Sequence, residues 1–194
     1  MTIFRSSFYL FFAITLIFIT SCNKVENKNE SKQNLQEQAH KANVFVINSV
    51  GQPVNGKAVD FTFDKNGTKQ SFSDLTKNKI VLLNFWATWC PPCRRELPNI
   101  VEISKELKAQ DVEVIGVSLD SEGNPSETVK NFTEKNNIPY LNLIGNPEIA
   151  DAYGGISGIP ATFIIDKSGN IISRFEGSQS KQTFVDALNQ VIKK

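Results

Sequence analysis

Apolar and polar positions along this chain fall into blocks short enough to be single elements of secondary structure. The most continuous apolar block, Ile80-Val81-Leu82-Leu83-Asn84-Phe85, has strand length and many branched side chains, the pattern of a central strand covered on both faces. Beyond it Leu97, Ile100, Val101, Ser104 and Leu107 recur at spacings of three and four, an apolar stripe that predicts a helix beginning near Pro91. Val112 to Ser118 and Tyr140 to Ile144 read as strands, and Ser126 to Asn136 as a helix with Val129 and Phe132 inward. Pro147 to Tyr153 reads as a short helix with proline at its first position, where a missing N–H costs nothing, and Gly154 and Gly155 end it.

The two ends of this region carry turn signals. Val44 to Ile47 and Ala58 to Phe63 look like short strands, and the turn Asp64-Lys65-Asn66-Gly67 returns into Thr68 to Phe72, which predicts an N-terminal β-hairpin. Ser73-Asp74-Leu75 suggests a helical turn before the central strand. After a loop from Ile156 to Pro160, Ala161 to Ile165 and Ile171 to Phe175 flank the turn Asp166 to Asn170 and form an antiparallel pair. The last helix starts near Ser180, a suitable N-cap, and carries Phe184, Leu188, Val191 and Ile192 on one face. Strands alternating with helices, closed by a hairpin and a terminal helix, predict an α/β fold with a central mixed sheet flanked by helices.

The first forty residues differ in kind. Arg5 is the one basic residue before an apolar run from Phe8 to Ile19, followed by Ile19-Thr20-Ser21-Cys22; residues 1–21 read as a secretory signal. The run is short for a membrane span, which needs about 20 residues, although an uncleaved signal anchor is the alternative. The small residues before Cys22 resemble the lipobox of bacterial lipoproteins, which implies a lipid at Cys22 and a domain held at the cell envelope outside the cytoplasm. Residues 22–43, rich in Asn, Lys, Glu, Gln and Ser, are too polar to fold alone and predict a flexible tether. His40, the single histidine, falls there, so no Cys–His pair is expected in the folded part. Residues 44–194 have the size of one domain. The net charge of +1 gives no support for nucleic acid as a partner.

With Cys22 assigned to the anchor, two of the three cysteines remain for chemistry, Cys90 and Cys93, at the point where strand hands over to helix. The first turn of a helix has unpaired N–H groups and a partial positive charge, so a thiolate there is stabilised and can attack a disulfide near neutral pH. Cys90 is the candidate nucleophile. Cys93, one turn further and expected to be more buried, is the candidate resolving thiol. Zinc would need four ligands and no later Cys or His supplies them, so no metal or other cofactor is expected; a purely structural disulfide would close too short a loop to stabilise much. An exported dithiol stays reduced only if electrons reach it, which implies a membrane thiol donor.

The segment Leu83-Asn84-Phe85-Trp86-Ala87-Thr88-Trp89-Cys90-Pro91-Pro92-Cys93, with Gly158-Ile159-Pro160-Ala161-Thr162-Phe163-Ile164-Ile165-Asp166 some 65 residues later, resembles the thioredoxin superfamily. More closely it resembles the TlpA/ResA-like extracytoplasmic thiol-disulfide oxidoreductases, which implies a thioredoxin-like fold with an N-terminal hairpin and a central insertion. The resemblance implies a cis peptide bond before Pro160, with the backbone of Ile159 pairing to an extended substrate; a helix bend at Pro98; and a thiol-tuning role for Glu96, whose other reading is a carboxylate placed for the helix dipole. Trp86 is expected to pack, and Trp89 to shield Cys90 and offer a flat apolar surface to substrate. Arg94 and Arg95 read as a solvated face. Asn84 stands where cytoplasmic thioredoxins carry a buried aspartate, so the proton acceptor must be another group, Glu96 or water. Relatives of this kind reduce protein disulfides, among them apocytochrome c before haem attachment. Two alternatives are a thiol peroxidase of the peroxiredoxin type, with related architecture, and a non-catalytic redox-sensing or binding module.

Overall fold

The computed structural model describes residues 43–193. The expected signal segment, Cys22 with its lipobox, His40 and the tether up to residue 42 lie outside the described residues. Within them the elements are β1 (Val44–Val50), β2 (Phe61–Lys65), β3 (Thr68–Ser71), α1 (Phe72–Leu75), β4 (Ile80–Trp86), α2 (Pro91–Glu106) and β5 (Val112–Ser118). There follow α3 (Pro125–Lys135), β6 (Leu141–Ile144), α4 (Pro147–Ala152), β7 (Ala161–Ile165), β8 (Ile171–Glu176) and α5 (Lys181–Ile192). Among the described residues no helix is long and apolar enough to cross a membrane.

The strands form one mixed sheet in the order β3-β2-β1-β6-β5-β4-β7-β8. Neighbours from β1 to β4 are parallel, while β7 and β8 run antiparallel on one side and β2 and β3 on the other. All seven residues of β4 are buried, because side chains of alternating residues feed two different cores. Ile80, Leu82 and Trp86 join Ile100 and Ile103 of α2, Val129 of α3 and Phe184 and Leu188 of α5. Val81, Leu83 and Phe85 join Phe61, Phe63, Phe163 and Tyr153 on the opposite face. α3 and β6, between β5 and the antiparallel β7–β8 pair, carry the sheet past β5 and are the central insertion.

The N-terminal hairpin is β2–β3, and it is continuous with the main sheet. β1 pairs antiparallel with β2 and parallel with β6, so it welds the hairpin to the insertion. The hairpin turn uses Asn66 and Gly67 at φ 55 and 81, and the Gly67 N–H donates to Asp64 Oδ1 at 2.7 Å. β2 begins three residues later than the apolar pattern suggests. Asp60 is drawn instead into accepting hydrogen bonds from the backbone N–H and the hydroxyl of Ser73. Phe72 opens α1 rather than closing β3, since Ser71 caps that turn by accepting from the Asp74 N–H. Asn124, Asn146 and Ser180 cap α3, α4 and α5 in the same way.

Gly116 of β5 lies in register between Asn84 and Asn142, on the face where Trp86 Nε1 donates to Asn142 Oδ1 at 3.2 Å. A Cβ at this position would collide with Asn142 Oδ1 and come within 2.9 Å of Trp86 Nε1. Gly116→Ala is therefore expected to cost about 2 kcal/mol by overpacking, seen as a lower urea midpoint of the oxidised protein; a midpoint equal to the parent's would show that the tryptophan–asparagine bond is dispensable.

Candidate active site

β4 ends at Trp86, and a short link delivers Cys90 as the N-cap of α2, with φ −85° and ψ 108°. Pro91 and Pro92 occupy the first two helical positions and bring no N–H. The first amide able to reach the N-cap is that of Cys93, which donates to Cys90 Sγ at 3.2 Å. The two cysteines form a disulfide with their Cα atoms 5.3 Å apart. α2 continues through Pro98 to Glu106. Burial does not separate the pair in this oxidised state: Cys90 is 2% and Cys93 1% exposed. The difference expected from the sequence lies instead in position, cap against first turn. Trp89 is 65% exposed and stands beside the disulfide as an uncovered aromatic surface, while Trp86 is fully buried.

The loop before β7 meets the disulfide from the other side. The Ile159–Pro160 peptide bond is cis, and the Ile159 carbonyl oxygen lies 3.6 Å from Cys90 Sγ. The Pro160 carbonyl accepts from the Gly177 N–H at 2.8 Å, which ties this loop to the segment following β8.

Glu96 is the sixth residue of α2, turned inward and 1% exposed, and so stands apart from the exposed first-turn acids that serve a helix dipole. Asn84 Nδ2 donates to its Oε1 at 3.2 Å and to Thr162 Oγ1 at 2.9 Å. The Gln179 N–H donates to Oε2 at 2.7 Å. Burial outweighs these two hydrogen bonds and pushes the Glu96 carboxyl up to about 7. Tyr140, whose buried hydroxyl has no hydrogen-bond partner among the described residues, is pushed up by burial and then by Glu96, and stays a neutral phenol.

A second buried carboxylate, Asp120, holds the link itself. Its Oδ2 accepts from the Thr88 N–H at 2.9 Å and from Ser118 Oγ at 2.6 Å, and its Oδ1 from Thr88 Oγ1 at 2.5 Å. Asp120, Ser118, Thr162 and Gln179 were not among the residues singled out from the sequence. The available signal was an aspartate just past a strand end, beside an otherwise apolar run.

A sequence model of the AhpC/TSA family matches residues 54–174. The thiol-disulfide oxidoreductase ResA of Bacillus thuringiensis subsp. konkukian is 35% identical over 129 residues, 66% of this chain and 72% of the relative. This chain belongs to that family, as a ResA-like thiol-disulfide oxidoreductase. Solved structures agree with the assignment. A thioredoxin-family thiol:disulfide interchange protein from Chlorobium tepidum is 31% identical with a TM-score of 0.62, covering 75% of this chain and 99% of that one. The exposed lipoprotein thioredoxin of Streptococcus pneumoniae is 31% identical with a TM-score of 0.55, covering 69% and 98%.

The elevated Glu96 carboxyl makes the stability of this ResA-like domain depend on pH in a defined sense. Between the ordinary carboxyl value of 4.5 and about 7 the native state holds a proton that the unfolded state has released, so stability falls as pH rises. The stabilisation is full below about pH 4.5 and is lost as pH passes about 7, a loss on the order of 3 kcal/mol. In the oxidised protein, urea unfolding across this window is expected to show the decline in the parent and to lose that component in Glu96→Gln. Parallel profiles for the two would mean that Glu96 titrates alike folded and unfolded.

Proposed function

We propose that this ResA-like protein is a membrane-tethered protein-disulfide reductase of the cell envelope, working through Cys90 and Cys93. The observation that carries the reading is the junction itself: a Cys-Pro-Pro-Cys pair capping α2, with the cis-Pro160 loop 3.6 Å from Cys90 Sγ. The Cys90 thiolate attacks one sulfur of a substrate disulfide, that bond breaks, and the other substrate sulfur leaves as a thiolate. Cys93 then gives up its proton and attacks Cys90 Sγ, which releases the second substrate thiolate and closes the Cys90–Cys93 disulfide. Two electrons have passed to the substrate, and a membrane thiol donor restores the dithiol. Glu96, three residues beyond Cys93 and so on the same face of α2, with its carboxyl near 7, takes the Cys93 proton and tunes the pair. The Ile159 backbone beside Pro160 pairs with the substrate chain, and Trp89 packs against it.

The envelope location rests on the sequence of residues 1–21 and the lipobox at Cys22, and the name of the pneumococcal lipoprotein thioredoxin supports a lipid anchor. Apocytochrome c is the substrate that the ResA resemblance favours. A trap tests the proposal: the Cys93→Ser protein, expressed in an exporting host, is expected to hold its substrate on Cys90 as a stable mixed disulfide that mass spectrometry identifies. Recovery of no protein adduct, together with rapid consumption of hydrogen peroxide by the parent, would turn the assignment towards a thiol peroxidase.

The direction of electron flow follows from the donors at the cap. Pro91 and Pro92 leave the Cys93 N–H as the hydrogen bond to Cys90 Sγ, and no histidine lies between the cysteines to stabilise a thiolate further. The dithiol is correspondingly less favoured, so the expected potential is near that of thioredoxin, about −270 mV, and far from that of DsbA, about −120 mV. Equilibration with glutathione buffers measures it; a pair still largely dithiol in buffers near about −180 mV would overturn the reductant assignment.

A further inference from the structure

An open groove of about 660 Å³ starts at Pro91, between the two cysteines, and runs between the outer face of α2 and the C-terminal turn of α3. Its floor is apolar, made by Leu97 and Val101 of α2 with Phe132 and Ile138 across from them. Its rim is cationic. Arg94, Arg95 and Lys105 line it from three positions on α2 and are all exposed, and among the described residues none of them forms an ion pair with a carboxylate. Arg94 lies over the Phe132 ring at 5.9 Å from the centroid, which fixes one charge directly above the apolar floor. Glu102, the acid on this rim, shares Lys181 with Glu106 at 2.8 and 2.7 Å and lies near Lys105, so one carboxylate stands against the three cations and the rim stays net positive.

We infer that this groove docks an acidic, amphipathic segment of a protein partner in disulfide exchange, apolar side chains on the floor and carboxylates against Arg94, Arg95 and Lys105. The inference builds on the disulfide chemistry assigned above and adds a recognition surface beyond Trp89 and the cis-proline loop. Charge complementarity selects this occupant, and a groove between two helices takes one amphipathic segment. The chain's own tether does not fit, since residues 22–43 carry four lysines against three glutamates. A bilayer does not fit either, because its surface is flat on this scale and the apolar floor is recessed behind the cations. The groove begins at Pro91, the residue that follows Cys90, so a partner seated in it is led along α2 towards the end that carries Cys90.

The test uses the full chain and three synthetic cystine peptides: one with flanking Glu and Leu, one with Lys in place of Glu, and one with Ser in place of Leu. The parent is expected to reduce the Glu–Leu peptide with a KM about tenfold below that of the Lys peptide, which loses the charge pairs on the rim. Its KM is also expected about tenfold below that of the Ser peptide, which keeps those pairs and loses the apolar contact with the floor. In the double variant Arg95→Glu with Lys105→Glu, both exposed sites, the charge preference is expected to vanish or reverse with kcat held. Turnover of 2-hydroxyethyl disulfide, too small and neutral to engage the groove, is expected to be equal in parent and variant. Equal KM values for the three peptides on the parent would overturn the inference, as would a preference that survives the double reversal. A variant that also lost 2-hydroxyethyl disulfide turnover would place these cations in the chemistry instead. Tighter binding of the parent than the variant to vesicles of equal parts phosphatidylglycerol and phosphatidylcholine, with the peptides handled alike, would hand the groove to a membrane surface.

Discussion

A side-chain amide in the middle of a strand covered on both faces has to find its partners inside the protein, because a polar group left unpaired there costs about 1–3 kcal/mol. Asn84 is that residue on β4, and its Nδ2 is shared between Glu96 of α2 and Thr162 of β7. Glu96 in turn accepts from the Gln179 N–H just before α5. One buried polar cluster therefore fixes the angle at which α2 leaves the sheet, the position of the strand that follows the cis-proline, and the entry into the last helix. The disulfide sits at the head of the helix so placed, so the same bonds that satisfy Asn84 also set what surrounds the cysteines.

The legible parts of this molecule are those whose cause is local. β4, the start of α2, the β7–β8 pair and the cap at Ser180 each follow from a few adjacent residues, and the structure has them where the pattern puts them. Glu96 is instructive, because Cys93, Glu96, Ile100 and Ile103 are all buried on one stripe of α2. The stripe drawn from apolar residues alone, Leu97 to Leu107, leaves Glu96 out, because its charge suggested an outward position. What the sequence could not display is contact between distant short side chains or backbone groups. Asp120 reaches Thr88 across 32 residues, Asn84 reaches Thr162 across 78, and Gln179 reaches Glu96 across 83, with nothing periodic to mark them.

The hairpin divides in the same way between local and distant causes. From residues alone, β2 and β3 are an antiparallel pair, but nothing local in Val44 to Val50 says that this strand will bind a hairpin on one edge and the inserted β6 on the other. That double pairing is a property of the whole sheet. It also makes the insertion and the hairpin mutually dependent, since either without β1 would expose a strand edge with unmet hydrogen bonds.

The parallel run of β1, β6, β5 and β4 gives the sheet a direction, and Cys90 lies past the end to which these strands point. β1 starts at Val44, and through β6 and β5 its residues Val44 to Val46 stand level with Asn84 to Trp86 at the end of β4. Whatever precedes Val44 therefore joins the domain level with Asn84, only about 7 Å along the strands from the end of β4, given about 3.3 Å per residue over two residues. For a chain held at its N-terminus the distance from leash to disulfide is thus set across the sheet, by the three strand spacings of about 4.8 Å that separate β1 from β4, and the width of the inserted β6 becomes part of that distance.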